Sequence, residues 1–247
     1  MPFLLPCPNL IIMPEPDVLF DKNNYDFQQG EVILIDKPLE WTSFDVVNKL
    51  RYLIKLKKIG HAGTLDPLAT GLLILCTGKM TKQIERFQAE EKEYEGTLVL
   101  GKTTPSIDLE TDFDSETSVN HLTEQDLERA RQPFLGTIRQ VPPVYSAVKV
   151  GGERLYKKAR KGKEVAIKER EVTVRTFELT RIALPEVDFR IVCTKGTYIR
   201  SIVRDFGNRL KVGAYLSRLR RTRNGTFSVE DAYQIDEFVQ LIKEGTA

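Results

Sequence analysis

The sequence has 247 residues, of which 41% are apolar and 29% are charged, an ordinary composition for a folded globular protein and not that of a disordered tail. Its formal net charge of +2 excludes the strong overall basicity of a histone-like protein. One large domain or two small domains would fit this length equally well.

The N-terminus and the cysteines limit where the protein works. Residues 1–14 are apolar, but their four prolines and the lack of a basic start argue against a signal peptide. No apolar run reaches the roughly 18 to 20 residues that a membrane span requires. Three widely spaced cysteines and two histidines provide no metal-ligand spacing. We therefore expect a reduced, cytoplasmic protein that holds no metal.

The first predicted elements are a strand and a capped helix. Residues 31–36 (EVILID) are typical of a strand. A helix is predicted over residues 43–57, because Thr42 and Asp45 form a capping-box pattern ahead of it. Its apolar face is predicted to carry Phe44, Val47, Leu50 and Ile54.

Short strands and helices then alternate along the chain, without repeats or low-complexity linkers. Strands are predicted at residues 72–76, 94–100, 136–140, 145–150, 171–181 and 187–193. Helices are predicted at residues 81–88, after a second capping box at Thr123 and Asp126, at 197–210 and at 235–245. This mixture predicts an α+β fold.

Charge is segregated along the chain. Between residues 108 and 129, eight carboxylates face one arginine, whereas between residues 195 and 223 nine cations face one aspartate. A second basic stretch, RLYKKARKGK, covers residues 154–163. The pattern fits a polyanion-binding face, and it fits ordinary solvated charge equally well. Charge clustering alone makes five residues candidate phosphate contacts: Lys149, Arg160, Arg218, Arg220 and Arg221.

The stretch GHAGTLDPLATG, residues 60–71, places Asp66 in a glycine-rich setting. An Asp-Pro pair commonly starts a helix, so Asp66 has a simple interpretation as an N-cap. Gly71 and a strand-like run follow within a few residues, however, so any such helix lasts about one turn. Glycines at 60, 63 and 71 allow positive φ and a loop that lifts a side chain into a pocket. A nucleophile, a general base and an anion repeller all remain open for this carboxylate.

Five separate blocks resemble the TruB-type tRNA pseudouridine synthases, in order and spacing, over about residues 30–225. The family's catalytic block is similar to GHAGTLDPLATGLLILCTGKMTK, and its other blocks are similar to LIDKPLEWTSFDVVNKLR, KEYEG, QVPPVYSAVKVGGERLYKKAR and CTKGTYIRSIVRDFG with LSRLRR after it. The resemblance implies a pseudouridine synthase fold with a mixed, mainly antiparallel central sheet and flanking helices. It also implies isomerisation of uridine to pseudouridine in the T-loop of tRNA, normally at position 55, without a cofactor.

The resemblance assigns a role to each matched residue. It implies that Asp66 is the catalytic aspartate, that Arg200 pairs with it, and that Tyr198 lies near the ribose as a possible base at C2′. Tyr94 would stack on the extracted base, and His61 would contact the target loop. Leu219 would line the base pocket. The sequence does not distinguish covalent attack on C1′ from a glycal intermediate.

The resemblance also sets the expected domain organisation. We expect an N-terminal extension at residues 1–28, a catalytic domain at 29–228 and a short C-terminal helix within 229–247. These last residues leave no room for the PUA domain that TruB-type enzymes commonly carry. The family's T-D-T-x-D turn is altered in GKTTPSID, which keeps Asp108 but introduces Pro105.

Competing functional hypotheses differ in class. A stand-alone monomeric enzyme that acts on the T-arm of tRNA, without a membrane or an obligatory protein partner, is the first. An RNA-binding module or tRNA-folding chaperone with the same fold is the second. A nucleoside glycosidase would need a second carboxylate as general acid, and the matched blocks offer no obvious candidate.

Overall fold

The computed structural model describes residues 25–146 and 167–244, together with the backbone of residues 149–150 and 153–154. Residues 1–24, Arg160 and the side chain of Lys149 lie outside the described residues, so the predictions that concern them stay predictions. In the described part of the chain, no helix is long and apolar enough to cross a bilayer.

The described secondary structure comprises strands and five α-helices. The strands are β1 (Val32–Lys37), β2 (Ile59–Ala62), β3 (Ala69–Thr77), β4 (Lys92–Leu100), β5 (Lys102–Thr103), β6 (Ser115–Glu116), β7 (Gly136–Gln140), β8 (Lys149–Val150), β9 (Glu153–Arg154), β10 (Arg170–Ala183), β11 (Glu186–Cys193), β12 (Ala214–Asn224) and β13 (Phe227–Ser228). The helices are α1 (Ser43–Leu53), α2 (Ile84–Ala89), α3 (Glu124–Arg131), α4 (Ile199–Arg209) and α5 (Ile235–Glu244).

One nine-stranded sheet organises these elements. Its main strands lie in the order β1, β3, β12, β4, β11, β10, β7, with β2 beside β3 and β13 beside β12. Within the described sheet, β3 and β12 pair in parallel and every other neighbouring pair of strands is antiparallel. The predicted α+β fold with a mixed, mainly antiparallel sheet is therefore confirmed.

The capping box at the start of α1 forms as predicted. The hydroxyl of Thr42 accepts from the backbone N–H of Asp45 at 3.1 Å, and the carboxylate of Asp45 accepts from the N–H of Thr42 at 2.8 Å. The helix ends at Leu53 rather than near residue 57, because Lys55 has a φ of 51°, in the left-handed region, and a right-handed helix cannot continue through it.

The buried face of α1 differs from the predicted face. Ser43, Val46, Val47 and Leu50 are buried, whereas Phe44 is 59% exposed. Spacing of three and four residues links the buried set, and Phe44 lies one position outside it.

Two other sequence predictions need correction, and the bounds of one strand were missed. The helix predicted at residues 81–88 is a 3₁₀ segment, Gly78–Gln83, followed by the short helix α2. Tyr145 and Ser146 lie outside any strand, so the strand predicted at residues 145–150 is reduced to β8. No bounds were predicted for β12, whose four arginines interrupt the alternation of apolar residues.

Apolar clusters cover both faces of the sheet. Helices α3 and α4 pack on β4, β10 and β11. At this contact the rings of Phe206 on α4, Phe177 on β10 and Phe134 after α3 meet edge to face. Helices α1 and α5 cover β1 and β3, with Phe238 of α5 fully buried. The packing leaves the turn between β2 and β3 at the end of the parallel pair.

Candidate active site

The turn between β2 and β3 carries Asp66. Gly63 and Gly71 flank this turn with φ of 89° and 100°, as predicted, whereas Gly60 lies within β2. The carbonyl of Asp66 accepts from the N–H of Ala69 at 3.0 Å, and β3 begins there. Asp66 therefore lies on a single turn and caps no helix, which removes the structural interpretation as an N-cap.

Gly71 allows the closest backbone approach at the site. A Cβ at this position would lie 2.3 Å from the carbonyl oxygen of Arg221, so no side chain fits. The approach permits the parallel pairing in which Leu219 faces Ala69. As a result, the middle of β12 lies directly beside the turn of Asp66.

The backbone groups of both neighbours of Asp66 are hydrogen-bonded by residues between the end of β1 and the start of α1. The hydroxyl of Ser43 accepts from the N–H of Leu65 at 2.9 Å and donates to its carbonyl at 3.2 Å. The carbonyl of Pro67 accepts from the N–H of Glu40 at 2.9 Å and from Nζ of the fully buried Lys37 at 3.3 Å. The backbone on each side of the carboxylate is thus fixed before any substrate binds.

The ammonium of Lys37 is itself perturbed by this position. Burial lowers the pKa of Lys37 to about 8, and the negative charge of Asp66 partly opposes the shift. The ammonium also donates to the carbonyls of Pro38 and Trp41 at 2.8 and 2.6 Å. Lys37 therefore holds three backbone carbonyls together and places its charge near the carboxylate of Asp66.

A buried arginine on α4 joins two carboxylates. Nη2 of Arg200 lies 2.8 Å from Oδ2 of Asp66, and Nη1 lies 3.2 Å from Oδ2 of Asp108. The same guanidinium donates to the carbonyls of Ser106 and Tyr145 at 3.0 and 2.8 Å. Arg200 is only 4% exposed, so its guanidinium acts inside the protein and not as a surface contact.

Asp66 combines access with an unfavourable setting for charge. Its side chain is 40% exposed, which leaves one oxygen edge open to a reactant. Surrounding protein atoms nevertheless raise the pKa of Asp66 by desolvation; the cation of Arg200 opposes this shift, and the charges of Asp108 and Glu110 add to it. Arg200 therefore orients the carboxylate and favours its ionised form.

Tyr94 and Arg221 face each other across β4 and β12. The two residues are directly paired in the antiparallel register, and the positive charge of Arg221 lies close enough to the phenol to affect its pKa. Arg221 also donates to the carbonyls of Leu72 and Gly63 at 2.7 and 3.2 Å. Burial raises the pKa of Tyr94, so its ring is a neutral, oriented surface.

Tyr198, the residue that precedes α4, is held from two sides. The side chain of Gln140, on β7, accepts from the N–H of Tyr198 at 2.8 Å and donates to its carbonyl at 3.0 Å. The guanidinium of Arg170 lies 5.2 Å from the centre of the Tyr198 ring, in a cation–π contact. Because α4 has no cap from its own side chain at Tyr198, Gln140 takes over that function from another strand.

A cavity of about 1000 Å³ opens at this point of the molecule. Five of the predicted site residues line it together: Asp66, Tyr94, Tyr198, Arg200 and Leu219. Arg221 lines it as well, although charge clustering predicted a phosphate contact; with 1% exposure it is a buried part of the cavity wall.

Two predicted site residues lie elsewhere. His61 is on β2 and does not line the cavity; burial and the nearby charge of Arg221 lower its pKa, so its ring is neutral at physiological pH. Arg220 forms two hydrogen bonds, at 3.0 and 2.6 Å, with the carboxylate of Asp36. Its guanidinium is thus already paired in the structure.

Sequence reasoning missed several residues that shape the site. Asp108 was noted only as the remnant of an altered turn, and Lys37, Ser43 and Gln140 received no role. Each acts through a backbone group or a second side chain, so composition and spacing carry no signal for it. The one available signal is that Lys37, Ser43 and Gln140 lie inside the blocks that carry the family resemblance, whereas Asp108 lies in the altered turn.

Comparisons with solved structures agree with this architecture. A chain in the crystal structure of a Cbf5–Nop10–Gar1 complex superposes with a TM-score of 0.68 at 32% identity, over 87% of this chain and 54% of that one. A chain in the structure of an H/ACA RNP bound to a substrate RNA containing 2′-deoxyuridine gives 0.67 at 28% identity, over 90% and 56%. This chain spans little more than half of either.

Fold and site together define a pseudouridylate synthase. A family profile described as TruB family pseudouridylate synthase (N terminal domain) matches residues 51–199. A protein of Flavobacterium johnsoniae named tRNA pseudouridine synthase B is 51% identical over 225 residues, which are 88% of this chain and 98% of that protein. A protein of Phocaeicola vulgatus with the same name is 50% identical, over 89% and 96%. The chain belongs to the TruB family.

Proposed function

We propose that this enzyme converts uridine to pseudouridine in the T-loop of tRNA, at position 55. The observation that carries the proposal is the 2.8 Å pair between Arg200 and Asp66 on the wall of a cavity that Tyr94 also lines. The relatives at about 50% identity, named tRNA pseudouridine synthase B, support tRNA as the substrate. The family resemblance supports the T-loop and the position.

The target uridine has to leave its loop to reach Asp66. Extraction of a base costs a few kcal/mol of lost stacking and pairing. Stacking of the base on the ring of Tyr94 returns about 1–3 kcal/mol. Tyr94 is paired with the buried Arg221 in the strand register, so its ring needs little further ordering when the base arrives.

The reaction is an isomerisation, so one glycosidic bond replaces another and no atom is gained or lost overall. The N1–C1′ bond breaks, the base turns within the cavity, and a C5–C1′ bond forms; C5 then loses its proton and N1 gains one. The carboxylate of Asp66 acts on the ribose, either by attack on C1′ or by assisting removal of the C2′ proton on the way to a glycal. In the glycal route, we propose Tyr198, which also lines the cavity, as the base at C2′.

Release of tritium from tRNA labelled at uridine C5 tests the proposal, because C5 exchanges its hydrogen only when the new bond forms. We expect Asp66→Asn to lower the rate by on the order of 10⁴-fold or more, as for loss of a reacting side chain. Asp66→Glu is the matched control that keeps the charge and displaces it. Undiminished release by Asp66→Asn would refute the role of this carboxylate.

The same assay separates an enzyme from an RNA-binding module or folding chaperone. Binding of tRNA with no pseudouridine on nearest-neighbour analysis of the product would favour the chaperone. We further propose that the enzyme acts as a cytoplasmic monomer, without a cofactor or a protein partner. Turnover by the purified chain alone, with a monomeric mass in solution, is the expected result.

A further inference from the structure

Helix α1 exposes two large aromatic side chains on its outer face. Phe44 is 59% exposed and Tyr52 is 81% exposed, although both lie on an 11-residue helix whose inner face is well packed. Spacing of three, four, seven and eight residues places one set of side chains on this outward side. We call it the aromatic–basic face, and it consists of Phe44, Asn48, Arg51 and Tyr52 together with the exposed Lys55, which follows the end of the helix.

Arg51 is oriented within this face. Its Nη1 donates to Oδ1 of Asn48 at 2.8 Å, and its guanidinium carbon lies 6.0 Å from the centre of the Phe44 ring. A cation is thus held beside an exposed ring, an arrangement suited to a phosphate next to a stacked base.

The charge around the aromatic–basic face is positive. Residues 42–58 contain five cations and a single carboxylate, that of Asp45. This carboxylate accepts two hydrogen bonds from Thr42 in the capping box, which lower its pKa. The only negative charge on the segment is therefore engaged at the start of the helix, and the rest of the face complements a polyanion.

The aromatic–basic face begins beside the catalytic turn. Ser43, which precedes Phe44, bonds to both backbone groups of Leu65, the residue before Asp66. From Phe44 to Leu53 the helix extends about 14 Å at 1.5 Å per residue. A strand of RNA that delivers one nucleotide to Asp66 therefore passes close to this face on its way out of the cavity.

We propose that the aromatic–basic face binds substrate RNA next to the target loop, with an unpaired base on Phe44 or Tyr52 and phosphates on Arg51 and Lys55. The inference rests on the proposed function, since it concerns the same RNA. It adds a second contact region to the cavity, outside the pocket for the extracted uridine.

The test compares two double variants of the aromatic–basic face. One variant removes the two aromatic rings, and the other removes two of the cations. Phe44→Gln/Tyr52→Gln removes both rings while retaining good helix formers, and we expect the Kd for unmodified tRNA to rise at least about tenfold, with the KM rising alongside. Arg51→Gln/Lys55→Gln should reduce the slope of log K against log salt by about one for each lost phosphate contact. Unfolding curves check that each variant is folded.

Phe113→Gln is the matched control, because Phe113 is 51% exposed and lies in the acidic stretch. We expect its Kd to equal that of the unsubstituted protein. An unchanged Kd in Phe44→Gln/Tyr52→Gln, or an equal rise in Phe113→Gln, would overturn the assignment of this face while leaving the proposed function intact. Absence of tritium release from the unsubstituted enzyme would instead overturn the proposed function.

Discussion

Two buried arginines, Arg200 and Arg221, line the cavity, and their guanidinium groups have different partners. Arg200, on α4, contacts two carboxylates, those of Asp66 and Asp108, and also two carbonyls. Arg221, on β12, donates to the carbonyls of Leu72 and Gly63 and is paired with Tyr94 in the strand register. One guanidinium shares its charge with acids, whereas the other is held by neutral groups.

The difference shows in the groups around each arginine. The charge of Arg200 counters the desolvation that raises the pKa of Asp66. The charge of Arg221 instead acts on other basic groups, because it contributes to the lowered pKa values of His61 and Lys92. We infer that Arg200 sets the reactivity of the catalytic carboxylate, whereas Arg221 sets the position of the strand and ring beside it.

The largest effect is expected from Arg200→Met. Without the guanidinium, Asp66 loses its orientation and faces Asp108 as a like charge, so we expect the rate of tritium release to fall on the order of 10³-fold. The pKa of Asp66 rises further, and the acid limb of the pH–rate profile therefore moves to higher pH. Single-turnover rates between pH 5 and 9 measure both. Arg200→Lys keeps the charge without the fork, and a rate equal to that of the unsubstituted enzyme in either variant would contradict this role.

Asp108→Asn is expected to have the next largest effect, with the opposite shift in pH. Loss of one anchor lets the guanidinium of Arg200 move, and small misplacements at a reacting centre cost up to about 10²-fold. Because the charge of Asp108 raises the pKa of Asp66, its removal moves the acid limb to lower pH. The same pH series, with Asp112→Asn in the exposed acidic stretch as control, provides the comparison. An upward shift of the limb would disprove the like-charge argument.

Arg221→Met should affect stability more than chemistry. Its loss leaves the carbonyls of Leu72 and Gly63 without their donor in the protein interior, so the free energy of unfolding should fall by about 3 kcal/mol. Urea denaturation at constant slope measures this change. Below the unfolding transition, we expect the KM for tRNA to rise less than about tenfold. A variant as stable as the unsubstituted enzyme, yet inactive, would reverse the assignments of the two arginines.

Gln140→Leu is expected to have the smallest effect. It removes a cap worth about 1 kcal/mol from the start of α4, which corresponds to roughly a fivefold change if it acts wholly on the rate. Gln140→Glu keeps the acceptor for the N–H of Tyr198 but places an oxygen against its carbonyl, so it should be no better. Single-turnover rates distinguish these variants, and a loss as large as that of Arg200→Met would mean that Gln140 does more than position α4.

Much of the fold followed from local sequence signals. The capping boxes at Thr42 and Thr123 formed as predicted, because each depends on residues three positions apart. The strand at residues 72–76 was found from its apolar run and its flanking glycines. The exposed Phe44 was predicted wrongly because apolar spacing alone cannot distinguish a core side chain from a surface one.

The site was predicted less completely than the fold. Asp66, Tyr94, Tyr198, Arg200 and Leu219 came from the family resemblance, and the structure brings them to one cavity. Arg221 was predicted on the surface because its neighbours are basic, yet the register with Tyr94 turns it inward. Such a position depends on strand pairing between residues 127 apart in the chain, which no local pattern encodes.

The parallel pairing of β3 with β12 is a seam between two parts of the chain. Asp66 precedes β3 on one side, whereas Tyr94, Arg200 and Arg221 belong to the other, and helix α5 crosses back to pack on α1. Neither part carries a complete set of reacting groups. Activity therefore requires that the two parts associate. If the chain is divided between the exposed residues Glu90 and Glu91, which lie between α2 and β4, we expect each fragment to be inactive and turnover to return only when the fragments reassociate.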